Sequence, residues 1–187
     1  MITAGDFRNG MSFEKDGELF QVIEFQHVKP GKGAAFVRTK YRNLKTGTIR
    51  EESFNPSVKL KQAILERRDM QYLYSDDDLY YFMDNDTYEQ LPIRAEIIGD
   101  SVQFLKEGTV CQVVSHNGEI LMVELPIKVD LLVTECEPAV KGDTATNATK
   151  SAIVETGAEV RVPLFINRND VIRIDTRDGQ YEERVRS

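Results

Sequence analysis

The chain has 187 residues, with 24 Lys+Arg against 31 Asp+Glu, a formal net charge of -7 and 41% hydrophobic residues. That balance argues against a general nucleic-acid coat, and no apolar run approaches the roughly 20 residues of a membrane-spanning helix. Met1-Ile2-Thr3-Ala4-Gly5-Asp6-Phe7 leads straight into structured sequence, so no signal peptide is expected, and the two cysteines, Cys111 and Cys136, read as buried free thiols of a reducing cytoplasm.

From the N-terminus, apolar–polar runs fall around Phe13 and at residues 19–25, 35–44 and 48–54. Turn signals at Asp16-Gly17, Pro30-Gly31 and Thr46-Gly47 separate them, which predicts a small barrel or sandwich of SH3-like size. Next come Met70-Gln71-Tyr72-Leu73-Tyr74, an acidic turn Ser75-Asp76-Asp77-Asp78, and Leu79-Tyr80-Tyr81-Phe82-Met83, a hairpin with aromatic residues on both strands. A helical stretch is predicted over 92–106, broken near Gly99-Asp100, then strands at 109–115 and 120–125 around Asn117-Gly118. The last part repeats strands at 131–135, 159–163, 170–175 and 180–185, with 141–151 read as a long exposed loop. Both later parts hold a strand ending in Asp followed by Thr, Asp84 with Thr87 and Asp175 with Thr176, a faint sign of two domains of one type.

An all-β chain of three domains is the expectation, at 1–64, 65–128 and 129–187. Each is about 60 residues, adequate for a small closed barrel, and the five-stranded oligonucleotide-binding barrel is common in RNA-handling proteins. Charge is uneven among them: 11 Lys+Arg against 7 Asp+Glu in 1–64, 5 against 13 in 65–128, and 8 against 11 in 129–187. Such asymmetry points to one RNA-facing end.

That end is marked by Lys29-Pro30-Gly31-Lys32-Gly33, set between two strand-like runs. Proline fixes one backbone angle and the glycines supply permissive ones, so a tight hairpin turn is expected to carry the Lys32 amine away from the domain. Alone, such a loop reads as an ordinary surface turn. However, no Asp or Glu occurs from Phe25 to Arg50, where Lys29, Lys32, Arg38, Lys40, Arg42, Lys45 and Arg50 all fall. Arg38, Lys40 and Arg42 alternate with Val37, Thr39 and Tyr41, and so share one strand face suited to a phosphate backbone.

Enzyme readings find little support. Ala34 follows Gly33 and no Ser or Thr follows Lys32, unlike a phosphate-binding loop. No Ser/His/Asp or Cys/His set is apparent, and no metal or cofactor is expected. His27 and His116 read as structural or surface residues.

Four motifs together resemble the bacterial elongation factor P family over essentially the full length. They are Ile2-Thr3-Ala4-Gly5-Asp6-Phe7-Arg8-Asn9-Gly10, the run from His27 to Arg38, Lys141-Gly142-Asp143-Thr144, and Val162-Pro163-Leu164-Phe165 with Ile174-Asp175-Thr176-Arg177-Asp178-Gly179-Gln180-Tyr181 and Arg184. The resemblance implies an SH3/KOW-like barrel followed by two OB-fold barrels in an L-shaped, tRNA-like outline. It implies a monomeric, non-enzymatic factor that binds both ribosomal subunits between the peptidyl and exit sites and relieves stalls at consecutive prolines. Lys32, with Lys29, Pro30, Gly31 and Gly33, would enter the peptidyl-transferase region, and a modifying enzyme would extend Lys32 to reach the peptidyl-tRNA. Gly142, Asp143 and Thr144 would lie near the exit-site codon of the mRNA, and Tyr181 and Arg184 near the small subunit or the anticodon arm. Residues 145–151 lack the glycines of some relatives. Two alternatives stay open: a paralogue of the same fold acting on other stalls, and a single-stranded RNA-binding module stacking bases on Tyr72, Tyr74 and Tyr80.

Overall fold

The computed structural model describes residues 1–139 and 148–186. Among these residues the protein is all-β, as expected: sixteen strands form three sheets, with only short helical turns between them. The first sheet comprises β1 (Ile2–Thr3), β2 (Ser12–Lys15), β3 (Glu18–Val28), β4 (Phe36–Asn43), β5 (Ile49–Phe54) and β6 (Lys59–Gln62), in the order β1-β6-β2-β3-β4-β5. The second comprises β7 (Glu66–Asp76), β8 (Leu79–Asp84), β9 (Gln90–Arg94), β10 (Val110–His116) and β11 (Glu119–Glu124), ordered β11-β10-β7-β8-β9. The third comprises β12 (Lys128–Cys136), β13 (Thr149–Val154), β14 (Glu159–Pro163), β15 (Val171–Asp175) and β16 (Gln180–Arg186), ordered β14-β13-β12-β15-β16.

The chain packs as two compact units. One is Met1–Arg67 with Val114–Met122, and the other is Arg68–Val113 with the chain from Val123 on. In the first unit alternation sends Val37, Thr39 and Tyr41 inward from β4. Aromatic rings fill the interior: Phe13 lies 5.3 Å from Phe7, 5.7 Å from Phe20 and 5.6 Å from Tyr41 between centroids. Fully burying one such ring contributes about 1.5–3 kcal/mol. The Tyr41 hydroxyl donates to Glu52 at 2.6 Å, and Lys15 donates to the same carboxylate oxygen at 2.8 Å. Lys15 and then Tyr41 hold the Glu52 carboxyl below its usual range, while burial pushes the Tyr41 hydroxyl up. A smaller cluster of Leu19, Leu44, Ala63 and Leu121 also belongs to this unit.

In the second unit Phe104 packs with Val129, Leu131, Val133, Val160, Ile166, Ile172 and Ile174. Two buried carboxylates, Asp84 and Asp175, play one part at the ends of β8 and β15. Asp84 accepts the amides of Asp86 and Thr87 at 2.8 and 3.2 Å. Asp175 accepts that of Arg177 at 2.8 Å. Each Asp thus supports a turn after its strand, but the threonines differ: Thr87 donates its amide to Asp84, whereas Thr176 donates its own to the Ile127 carbonyl.

Several local expectations need correction. The helical stretch is α1 (Ala95–Ile98) followed by a 3-10 turn over Gly99–Phe104, while Pro92 and Arg94 lie in β9. The stretch read as a loop is partly strand, because β13 begins at Thr149; residues 140–147 lie outside the described set. Cys111 is buried, and burial pushes its thiol up to about 12, whereas Cys136 is only half-buried, its thiol facing the Ile166 carbonyl oxygen at 3.8 Å. No described helix is long and apolar enough to cross a membrane.

Candidate nucleic-acid interface

The loop around Lys32 is carried by the hairpin of β3 and β4. Register runs from Phe20 opposite Asn43 to Val28 opposite Phe36, with an irregularity between Val22 and Glu24. Beyond Val22 burial fades along β3, while Val37 and Thr39 on the paired β4 stay buried, so the core reaches to within one pair of the connection. Arg8 lies over the Phe25 ring at 5.9 Å and His27 meets its edge at 5.7 Å, which props this outer stretch.

The connection covers residues 29–35, all exposed, and is therefore longer than the tight turn expected. Only Gly33 has a positive φ, at 101°. There a side chain would be strained, so Gly33 answers the backbone geometry, whereas neither φ nor crowding calls for a glycine at 31. A Cβ placed on Gly31 would meet nothing within 4 Å, and one on Gly33 only Pro30, at 3.9 Å. Lys32 stands between these two bare positions, exposed, on a loop that contributes nothing to the core.

Arg38, Lys40 and Arg42 do share the outer face of β4, opposite the buried Val37, Thr39 and Tyr41. The sheet surrounds them with charge that a linear reading does not see. Lys40 lies opposite Glu24 on β3 and Glu51 on β5. Its ammonium is 3.9 Å from Glu24, and the Arg38 guanidinium is 3.9 Å from Glu51. Both acids sit just outside the acid-free window of 25–50, one at each end. Arg42 instead lies between Gln21 and Ile49. The stripe is therefore mixed in charge at Arg38 and Lys40 and unmixed at Arg42. Such exposed pairs hold little energy, about 0–1 kcal/mol, so the basic groups remain available to a phosphate.

Of the third-part residues, Gly142, Asp143 and Thr144 lie outside the described residues. Tyr181, on β16, packs half-buried against the Phe104–Ile174 core, and burial pushes its hydroxyl up. Arg184 places its guanidinium 5.3 Å over the Phe165 ring and 4.0 Å from the buried carboxylate of Asp170. Tyr181 thus rests its ring partly on the core, and Arg184 is a cation held over an exposed aromatic. Phe165, 55% exposed, stands in the sequence motif beside Pro163 and Leu164, but its position under Arg184 is not legible from the sequence.

The tyrosine platform of the alternative RNA-binding reading does not form. Tyr72 is 7% exposed and packs with Tyr80 and Phe82, whereas Tyr74 is 52% exposed and stacks on Tyr81. A register irregularity between Tyr72 and Tyr74 puts them on opposite faces. Among the described residues no group of three or more His, Cys, Asp or Glu is placed to hold a metal ion.

Comparison with known proteins is consistent along the chain. Residues 3–60 match the family described as Elongation factor P (EF-P) KOW-like domain, 65–123 match Elongation factor P (EF-P) OB domain, and 129–184 match Elongation factor P, C-terminal. The chain is 62% identical over 185 residues to elongation factor P of Acetivibrio thermocellus, covering 99% of this chain and 100% of that protein. It is 58% identical over 185 residues to elongation factor P of Clostridioides difficile, with the same coverage of 99% and 100%. Among solved structures, eukaryotic translation initiation factor 5A from Methanococcus jannaschii matches in fold with a TM-score of 0.55 and 24% identity, covering 67% of this chain and 92% of that one.

Proposed function

The chain belongs to the elongation factor P family, and on that premise we propose that it binds the ribosome between the peptidyl and exit sites and relieves stalls at consecutive prolines. The observation that carries this reading is the wholly exposed loop of residues 29–35, with Lys32 between two glycines at the end of the β3–β4 hairpin. Proline reacts poorly because its ring fixes φ and its nitrogen is secondary. A factor that orders the end of the peptidyl-tRNA supplies orientation rather than chemistry, and the ribosome's own reaction then proceeds from a reactive geometry.

Lys32 is the residue that would make this contact. Its slender, cationic side chain fits a groove in RNA, and the absence of side chains on both neighbours admits a close approach. A modifying enzyme that lengthens the amine would extend its reach along the tRNA backbone. Lys29, Pro30, Gly31 and Gly33 shape the loop. Arg42, with Arg38 and Lys40, would follow phosphates below it.

The working domains on this reading are 1–64, 65–128 and 129–187. The third would face the small subunit through Arg184, with Tyr181 beneath it, and the exit-site codon of the mRNA through Gly142, Asp143 and Thr144. The test is reconstituted translation of a message with three consecutive prolines, with and without the protein purified from its native host. Relief of the stall is expected; unchanged stalling, with normal binding to ribosomes, would move the protein to a paralogous task.

A further inference from the structure

The second sheet presents an outer face that the reading above leaves unused. Register places Tyr74 on β7 opposite Tyr81 on β8, and Tyr81 opposite Pro92 on the edge strand β9. These three residues form a row across the sheet. The two tyrosine rings stack with centroids 4.6 Å apart and planes 17° apart. Tyr74 and Pro92 are exposed and Tyr81 is half-buried, so the row is open to solvent. Turning two aromatic rings and a proline away from the core in a small domain leaves apolar area uncovered, which marks a surface for a partner.

Charge selects the partner. Residues 68–94 carry seven Asp or Glu against two Arg. Both arginines are paired with acids of this part of the chain: Arg68 with Asp84 at 3.2 Å and Arg94 with Glu96 at 3.5 Å. Asp76, Asp77 and Asp78, at the tip of the same hairpin, are all exposed. A nucleic acid brings phosphates against these carboxylates and is repelled. A second copy docking by two-fold symmetry sets the same acids against each other. A guanidinium suits both features, since it stacks on an aromatic face and pairs with carboxylates.

We propose that the outer face of β7–β9, centred on the stacked Tyr74 and Tyr81 and rimmed by Asp76, Asp77 and Asp78, is a docking surface for an arginine-bearing segment of a partner protein. The stacked rings hold the guanidinium plane, Pro92 extends the apolar row, and the aspartates bring basic segments to it. The proposal does not depend on Lys32 or its loop.

The test titrates the full-length 15N-labelled protein with a peptide of six Arg-Gly repeats, and separately with a twelve-nucleotide oligouridylate. The peptide should perturb amides of β7, β8 and β9 and bind this face in preference to the oligonucleotide. Tyr74→Ala and Tyr81→Ala should each weaken peptide binding about tenfold, and Tyr74→Phe and Tyr81→Phe by no more than about twofold. Should an alanine variant fold poorly, Tyr74→Leu keeps the apolar bulk and loses the aromatic face, and should weaken binding as strongly as alanine. Equal peptide affinity in Tyr74→Leu and wild type would reduce the effect to plain attraction by the acids and overturn the proposal. Tighter binding of the oligouridylate on this face, or self-association displacing the peptide, would overturn it equally. None of these outcomes bears on stall relief, which is read separately.

Discussion

Gly179 stands against the edge of the Phe104 ring: a Cβ built on it would lie 3.0 Å from Cζ and 3.4 Å from Cε2. Its φ of 74° is also one that side chains rarely adopt. Gly118 has a similar φ, 81°, but a Cβ there meets nothing within 4 Å. Gly118→Ala should therefore destabilise by about 1 kcal/mol, the backbone term alone. Gly179→Ala adds the close contact and should cost about 2–4 kcal/mol. Urea denaturation of both variants checks the difference; equal midpoints would show that the ring yields freely.

Asp175 closes the same turn and gives the fold a defined acid response. Arg177 donates to it from the guanidinium at 2.6 Å and from its backbone amide at 2.8 Å, and these hydrogen bonds pull the carboxyl down to about 2. Because the folded value is depressed, its stabilisation is complete above the unfolded value of about 4 and fades as pH falls toward 2. Asp175→Asn should be less stable than wild type at neutral pH, and the gap should narrow on acidification through that window. Thermal unfolding at a series of pH values measures it; a gap independent of pH would assign the role of Asp175 to shape alone.

Phe13 is fully buried among Phe7, Phe20 and Tyr41. Phe13→Ala should cost about 3–5 kcal/mol, most of a small domain's stability. Chemical denaturation should show this loss for Phe13→Ala and none for Lys32→Ala, whose side chain is outside every core.

The basic stripe yields a prediction of opposite sign at neighbouring positions. Arg42→Glu should weaken ribosome binding, with the deficit shrinking as salt is raised. Glu51→Gln should strengthen binding, because it relieves Arg38 and Lys40 of an acid. Affinity measured at two ionic strengths decides it, and indifference to both changes would make the stripe an ordinary solvated face.

Most of the architecture is legible in the sequence because these strands alternate and their turns carry Gly, Asn or Asp at positive φ. What escapes detection is non-local or atypical. The strand β6 offers only Leu60 among Lys59, Lys61 and Gln62, too little alternation to notice. In β13 the inward positions are Lys150, Ala152 and Val154, and a buried lysine disguises the pattern. The tyrosines fall on unexpected faces because a register shift between Tyr72 and Tyr74 cannot be read from composition. The loop of Lys32 is legible as a motif, but the acids beside the stripe are not, since only the sheet brings Glu24 and Glu51 level with Lys40.

The central claim is that Lys32 does the work and the rest of the protein delivers it. Its most direct measurement is translation through three consecutive prolines with native-host wild type and with Lys32→Ala, at concentrations that saturate the ribosome for each. The account predicts relief by wild type, none by the variant, and the same thermal transition for both proteins. Full relief by the correctly folded Lys32→Ala would contradict it and shift the activity to another surface of the chain.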